Sequence, residues 1–193
     1  MITQPATRGA DSELVSASLT DPEAFAELFD RYSAMLYRYV SKRLGPEQAE
    51  DLVGETFLVA FSRRGSYDLS HPDARPWLFG ILTKLVSRHH RTEAARYRAL
   101  RRAPVDAHVE SPADRVAAGV TAQAARTELA GALAALPAKD RDVLLLIAWG
   151  DLSYDEVARA LGIPIGTVRS RLNRGRRKVR AALGDTNPML EEE

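Results

Sequence analysis

Apolar residues in this chain recur at three- and four-residue steps, and no stretch shows the two-residue alternation of a strand. That period leaves an all-α fold. The helices are punctuated by residues with a physical reason to sit where they do. At Asp21-Pro22 the carboxylate can accept an orphan backbone N–H, and the proline gives up a donor that has no partner at a first helical position. Phe25, Leu28, Phe29, Tyr32, Met35, Leu36, Tyr39, Val40 and Leu44 then mark one apolar face, which Gly45-Pro46 ends. A second helix is expected from Pro46 to about Arg64, with Ala49, Leu52, Val53, Phe57, Ala60 and Phe61 inward and Gly54 marking a close backbone approach. The breaker-rich run from Arg64 to Arg75 reads as a loop, followed by a long third helix from about Ala74 to Ala99.

The pattern dissolves after Arg102, where APVDAHVESP reads as a linker, and Ser111-Pro112 repeats the cap-plus-proline signal before an alanine-rich helix toward Leu136-Pro137. Three shorter helices follow, at about Lys139 to Gly150, Ser153 to Leu161 and Gly166 to Leu183. The expectation is two small helical domains joined by a flexible linker: a tail at 1–17, a first domain at 18–100, the linker at 101–121, a second domain at 122–184 and an acidic tail at 185–193. A length of 193 residues suits two small cores. The chain has no cysteine, which removes disulfides, thiolate nucleophiles and zinc-thiolate sites. Apolar runs such as Val143 to Trp149 are far short of a membrane span, and Met1 to Glu13 has no apolar core of a signal peptide. A cytoplasmic protein without membrane insertion is expected.

The net charge of +1 conceals segregation. Arg169, Arg171, Arg174, Arg176, Arg177, Lys178 and Arg180 crowd residues 165–183 with no acid, while the last ten residues hold Asp185, Glu191, Glu192 and Glu193 with no base. Such a block is either a solvated helix face or a footprint for phosphates. The residues before it decide between the two. Ser153-Tyr-Asp-Glu156 matches a capping box, Val157, Ala158 and Leu161 point inward, Gly162 permits a left-handed turn, and another helix follows three residues later. This is a helix-turn-helix, with Ala158 small enough for close crossing. On the last helix Val168, Leu172, Gly175, Val179 and Leu183 form the buried stripe, opposite Thr167, Ser170, Arg171, Arg174, Arg177 and Lys178. A recognition helix sets its N-terminal residues against base edges, so Thr167, Arg169, Ser170, Arg171 and Arg174 are the expected readers, with Arg177 and Lys178 on phosphate.

The first half carries a quieter pair of signals. Glu47, Asp51 and Glu55 recur at four-residue steps near Glu50, with Leu58 and Val59 off the core stripe, which suits a basic partner helix or a solvated face alike. Trp77 and Phe79 lie near Lys84, Arg88 and Arg91, next to a loop with Tyr67; aromatic platforms with cations suit unstacked bases, although Trp77 alone also fits a core. His71, His89, His90 and His108 lack ligand spacing, and no HExxH, P-loop or GxSxG occurs, so neither an enzyme nor a cofactor is expected.

These residues resemble the extracytoplasmic-function (ECF) group of bacterial sigma-70 type RNA polymerase sigma factors, over about Asp21 to Leu183. The resemblance rests on AEDLVGETFLVAF (49–61) and RPWLFGILTKLVSRHHR (75–91) in region 2. In region 4 it rests on LPAKDRDVLLL (136–146) and LSYDEVARALGIPIGTVRSRLNRGRRKVRAAL (152–183). It implies docking on the beta-prime clamp helices of core RNA polymerase through Glu50, Asp51, Leu52, Glu55 and Phe57, and a contact to the beta flap. It further implies a flipped minus-10 base taken by the 64–75 loop and the helix after it, which brings in Tyr67, Asp68, Arg75, Trp77, Lys84, Arg88 and Arg91. The minus-35 element would be read through Arg169, Ser170, Arg171, Asn173 and Arg174. Promoter DNA, core polymerase and an anti-sigma factor are the implied partners. Two positions depart from the pattern: Lys84 stands where the family often has Asn, and Gly54 where Gln is common. Without its first half, the C-terminal part would equally suit a standalone helix-turn-helix regulator.

Overall fold

The structure, a computed structural model, describes residues 10–102 and 127–183. The 103–121 part of the expected linker, the Ser111-Pro112 cap, His108 and the acidic tail lie outside the described residues. The described residues are helices and turns, arranged in two compact units. One holds the chain through Ser87 together with Leu146–Ile163; the other holds Arg88–Leu145 together with the segment from Pro164 onward.

In the first unit, Asp21 caps as expected. Its side chain accepts from the Glu23 N–H at 3.2 Å, and Pro22 opens a 3-10 turn, Pro22–Phe25, that runs into α2 (Ala26–Leu44). The α2 stripe Leu28, Tyr32, Leu36, Tyr39, Val40 and Leu44 is buried, whereas Met35, expected on it, is half-buried and Phe29 is 45% exposed. At Gly45, φ of 104° turns the chain, a value that a β-carbon would resist, and Pro46 opens α3 (Pro46–Arg63). Ala49, Leu52, Val53, Phe57 and Ala60 of α3 are buried against that stripe, while Phe61 is only half-buried. From α4 (Arg75–Ser87), Leu78, Phe79, Leu82, Leu85 and Val86 complete the core, with Phe79 edge-on to Tyr39 at 5.1 Å.

Three expectations are corrected in this unit. Residues 11–17, read as the end of a tail, form α1 (Asp11–Ala17). Its Asp11, 2% exposed, accepts from the Ala74 N–H at 2.7 Å, from the Tyr32 hydroxyl and from Arg31, so one short helix anchors α2 and the approach to α4. The long third helix stops at Ser87 and resumes as α5 (His90–Arg102) in the second unit. No glycine or proline marks this break. Beyond it the buried residues are Glu93 and Tyr97, which belong to the second unit. Gly54 marks no close approach, since a β-carbon there would meet nothing within 4 Å. The glycine that does so is Gly80, where a β-carbon would lie 2.5 Å from the Ala160 carbonyl oxygen. A helix-interior glycine costs about 1 kcal/mol relative to alanine, so α4 is weakened locally at the place where it meets α8 (Tyr154–Leu161).

The capping box that opens α8 is complete. Ser153 Oγ accepts from the Glu156 N–H at 3.3 Å, and Glu156 Oε2 accepts from the Ser153 N–H at 2.7 Å. Gly162 closes the helix in the left-handed region, with φ of 62°, and the Ile163 N–H returns to the Ala158 carbonyl at 3.1 Å.

In the second unit, α5 packs with α6 (described over 127–135), α7 (Ala138–Ala148, through Leu145) and α9 (Ile165–Ala182). Val168, Leu172 and Gly175 are the buried stripe of α9, with Val179 and Leu183 half-buried. Gly175 lets α9 lie against α7, a β-carbon there coming 3.6 Å from the Asp140 carbonyl oxygen. Glu93 and Arg141, 0% and 3% exposed, form an ion pair at 3.1 Å, and Arg141 also donates to the Leu133 and Leu136 carbonyls.

Candidate nucleic-acid interface

Three surfaces hold the residues singled out in the sequence. On α9 the buried stripe turns the opposite face outward, leaving Arg169, Ser170, Asn173, Arg176, Arg177 and Lys178 exposed and Thr167 and Arg171 half-buried. Among the described residues, Arg169, Arg171, Arg177 and Lys178 form no ion pair, although Arg171 and Lys178 add to the positive field that acts on Asp140. Arg174 differs. Its Nε and Nη2 both donate to Asp140 at 2.7 Å, and this fork holds the buried carboxyl below the usual Asp range. Arg174 in this state braces α9 to α7 and does not offer a free guanidinium. Ser170 Oγ turns back onto the Thr167 carbonyl at 3.1 Å.

A second surface lies where the 67–74 segment meets α4. The Tyr67 and Trp77 rings meet at a tilt of 56° with centroids 4.9 Å apart, and the Tyr67 hydroxyl donates to the His71 carbonyl at 2.6 Å. Burial pushes that hydroxyl up to about 12, so it remains a donor at neutral pH. Trp77 is half-buried, with part of its ring on a groove that continues past Gly80 and Ile81 to exposed Lys84. Asp68 is exposed, its carboxylate accepting from the Ser70 N–H at 3.0 Å. Tyr67, Asp68, Trp77 and Lys84 belong to the first unit, whereas Arg88 and Arg91, both exposed, fall in the second.

Arg75, expected to meet a DNA strand, is instead paired with Glu156 of α8. Burial raises the Glu156 carboxyl, but the Arg75 guanidinium and the Ser153 amide and hydroxyl outweigh it and hold the group at about 2. The sign follows: because the folded value lies below the ordinary 4.5, the carboxylate's stabilisation is fully present above about pH 4.5 and is lost as pH falls toward about 2. A carbon-detected NMR titration of Glu156 should therefore show its midpoint near the lower value. A midpoint at the ordinary value would mean that the pair does not form. Arg63 and Arg159 also line this surface. Sequence reasoning missed both, because one sits at a helix end and the other comes from a distant helix that no local periodicity connects to Trp77.

The third surface is on α3. Glu50 and Asp51 are exposed and Glu55 is half-buried, but Leu52 and Phe57 are 4% and 6% exposed. Those two are core residues that hold the helix in place; the exposed apolar area belongs to Leu58, 70% exposed, and Phe29, 45% exposed. Phe29, Ser33, Ala34, Tyr37, Val53 and Gly54 line a shallow groove beside Glu50, kept open by the missing side chain at Gly54.

Comparison with known proteins agrees with this layout. Residues 28–96 match the family Sigma-70 region 2, and residues 126–179 match Sigma-70, region 4. The ECF RNA polymerase sigma factor SigW of Bacillus subtilis is 32% identical, with 86% of this chain and 91% of the relative covered. SigK of Mycolicibacterium vanbaalenii is 29% identical over 92% of this chain and 91% of the relative. Among solved structures, CnrH in complex with the cytosolic domain of CnrY shares the fold, with a TM-score of 0.65 at 24% identity over 92% of this chain and 99% of that one. An exposed basic helix behind a capped turn and an aromatic groove at the head of α4 thus stand in one chain where region 4 and region 2 are matched, and the chain belongs to the ECF group of the sigma-70 family, the factors that direct promoter-specific transcription.

Proposed function

We propose that the chain divides this work between residues 18–100, as region 2, and residues 122–184, as region 4. In region 2 the acidic groups Glu50, Asp51 and Glu55, with Leu58 and Phe29 beside them, bind the basic clamp helices of the beta-prime subunit of core polymerase. Leu52 and Phe57 set the angle of α3 from beneath. Tyr67, Asp68, Trp77 and Lys84 take a minus-10 base out of the stack, which must offset a few kcal/mol of unstacking. Arg75, Arg88 and Arg91 serve the phosphates of the melted strand. At Lys84 a cation replaces an amide, favouring contact with phosphate over discrimination between bases.

Region 4 reads the minus-35 element through Thr167, Arg169, Ser170, Arg171 and Asn173, with Arg177 and Lys178 on phosphate, Arg174 joining once released from Asp140, and the beta flap as its support on the enzyme. The protein acts in the cytoplasm by binding alone, without catalysis or a cofactor. An anti-sigma factor is a further partner, a reading supported by the complex in which CnrH was solved. No helix among the described residues is long and apolar enough to cross a membrane.

The observation that carries this reading is the exposed basic face of α9 in the same chain as the aromatic Tyr67–Trp77 groove, since a standalone regulator needs only the first. Transcription in vitro with core polymerase tests it. Core enzyme given this chain should start transcripts at discrete sites and fail to do so without it, and Trp77→Ala should abolish starts on duplex templates while sparing those on pre-melted ones. Specific binding to duplex DNA with no effect on core would favour the standalone regulator.

A further inference from the structure

The loop assigned to the minus-10 base is held at both ends by one short helix, α1 (Asp11–Ala17). At the start of α1 the Asp11 N–H donates to the Pro72 carbonyl at 2.9 Å, and Asp11 Oδ2 accepts from the Ala74 N–H at 2.7 Å. A single residue thus grips the main chain on both sides of Asp73. Asp73 is fixed in turn, its Oδ1 accepting from the Arg75 N–H at 2.8 Å and lying 3.2 Å from the Tyr32 hydroxyl, which also bonds Asp11. At the other end of α1 the carbonyl of its closing residue, Ser18, accepts from Arg64 Nε at 3.2 Å, while Arg64 Nη1 donates to the Phe61 carbonyl at 2.7 Å. Arg64 opens the loop and Ala74 closes it, so α1 spans the loop as a brace. The constraint reaches the aromatic site through the main chain: the Tyr67 hydroxyl donates to the carbonyl of His71, the neighbour of Pro72, and the Tyr67 ring lies against Trp77. Burial first, and then the negative charges of Asp11 and Asp73, push the Tyr67 hydroxyl up, so it stays a donor to that carbonyl.

We propose that Asp11 and Arg64 are positioning residues for capture of the minus-10 base: they clamp the two ends of the 64–75 loop onto α1 and so preset the Tyr67–Trp77 site before DNA arrives. The inference rests on the base-capture reading of that loop and adds the residues that shape it. Asp11, 2% exposed, acts through the main chain at Pro72 and Ala74 and not by meeting the base. Ordering a loop costs backbone entropy at every residue, and a brace formed in folding spares base capture that cost.

The test uses the full chain with core polymerase on a promoter located by the transcription assay, either intact or carrying an abasic site at each minus-10 position in turn. Asp11→Asn leaves one acceptor oxygen where Arg31, Tyr32 and Ala74 use two, and its amide nitrogen faces a donor whichever way it turns. Arg64→Met keeps the length of the stem and removes both donations. On the intact template both variants should lose on the order of tenfold in open-complex formation, as for a loop that keeps its binding shape about a tenth of the time, while affinity for core matches the parent. On the template that lacks the captured base, variants and parent should be equal, because the brace acts only through the base it helps to hold. Losses of equal size on both templates, which a general loss of stability or a lost phosphate contact would give, overturn the proposal, and so does no loss on the intact one. Denaturant unfolding shows whether Asp11→Asn folds; if it does not, Arg64→Met, at a half-buried position, decides alone. A parent indifferent to an abasic site at every minus-10 position overturns the base-capture reading as well, whereas a parent that responds beside variants that keep its full activity overturns the brace alone.

Discussion

Arg141→Ala is expected to destabilise the protein by about 3–5 kcal/mol, the usual cost of removing one partner from a buried ion pair. Glu93, 0% exposed, would lose its guanidinium partner, and the Leu133 and Leu136 carbonyls would lose their donor. The loss comes from what is left behind more than from the pair itself. A Glu93→Leu/Arg141→Leu double variant, which removes both charges and supplies apolar volume, should therefore recover much of the stability, leaving mainly the two carbonyls and the Tyr97 hydroxyl unserved. Denaturant unfolding of the full chain checks both. If the double variant is no more stable than the single one, the pair has a specific structural role that apolar packing does not replace.

The same residues show which parts of the fold a reader of the sequence could have found. Caps and turns were legible because their chemistry is local: Asp21 reaches an amide two residues on, Ser153 and Glu156 serve each other, and Gly45 and Gly162 occupy positive φ where their neighbours suggested a turn. Amphipathic stripes were legible for the same reason, and the buried faces of α2, α3 and α9 follow them except at Phe29, which is exposed, and at Met35, Phe61, Val179 and Leu183, which are half-buried. Contacts between distant segments were not. Asp11 looked like a solvated tail residue because its partners Arg31, Tyr32 and Ala74 are far along the chain, and α1 is too short to show a period. The break after Ser87 has no local signal, and Gly80 and Gly54 read alike although only one of them meets another helix.

The basic face of α9 was legible as an exposed face, but the sequence gives no hint that Arg174 is tied up. Charge patterning reveals which side of a helix is basic, whereas pairing depends on Asp140, which the fold brings in from α7. The helix proposed to face the polymerase shows the complementary limit. Two of the positions matched in AEDLVGETFLVAF, Leu52 and Phe57, are buried, because a motif also records what a helix needs in order to fold.

A second large effect is expected on α9, where free and tied arginines should behave differently. Arg169→Ala/Arg171→Ala removes two guanidiniums with no ion-pair partner among the described residues. If both are bidentate to bases, the loss is about 2–6 kcal/mol, or roughly 30-fold to 10⁴-fold in promoter occupancy, and it should be confined to templates carrying the minus-35 element. Arg177→Ala/Lys178→Ala should instead weaken all templates alike and flatten the dependence of log affinity on log salt by about 0.9 for each lost phosphate contact. Arg174→Ala should cost less occupancy than either change, because its guanidinium must leave Asp140 before it can serve DNA. It should also lower stability, by freeing a carboxylate that is 2% exposed. Holoenzyme binding to promoters with and without the minus-35 element, across a salt series, separates the three variants. Equal losses on both templates for Arg169→Ala/Arg171→Ala would reduce those arginines to phosphate contacts and move base reading elsewhere on the helix.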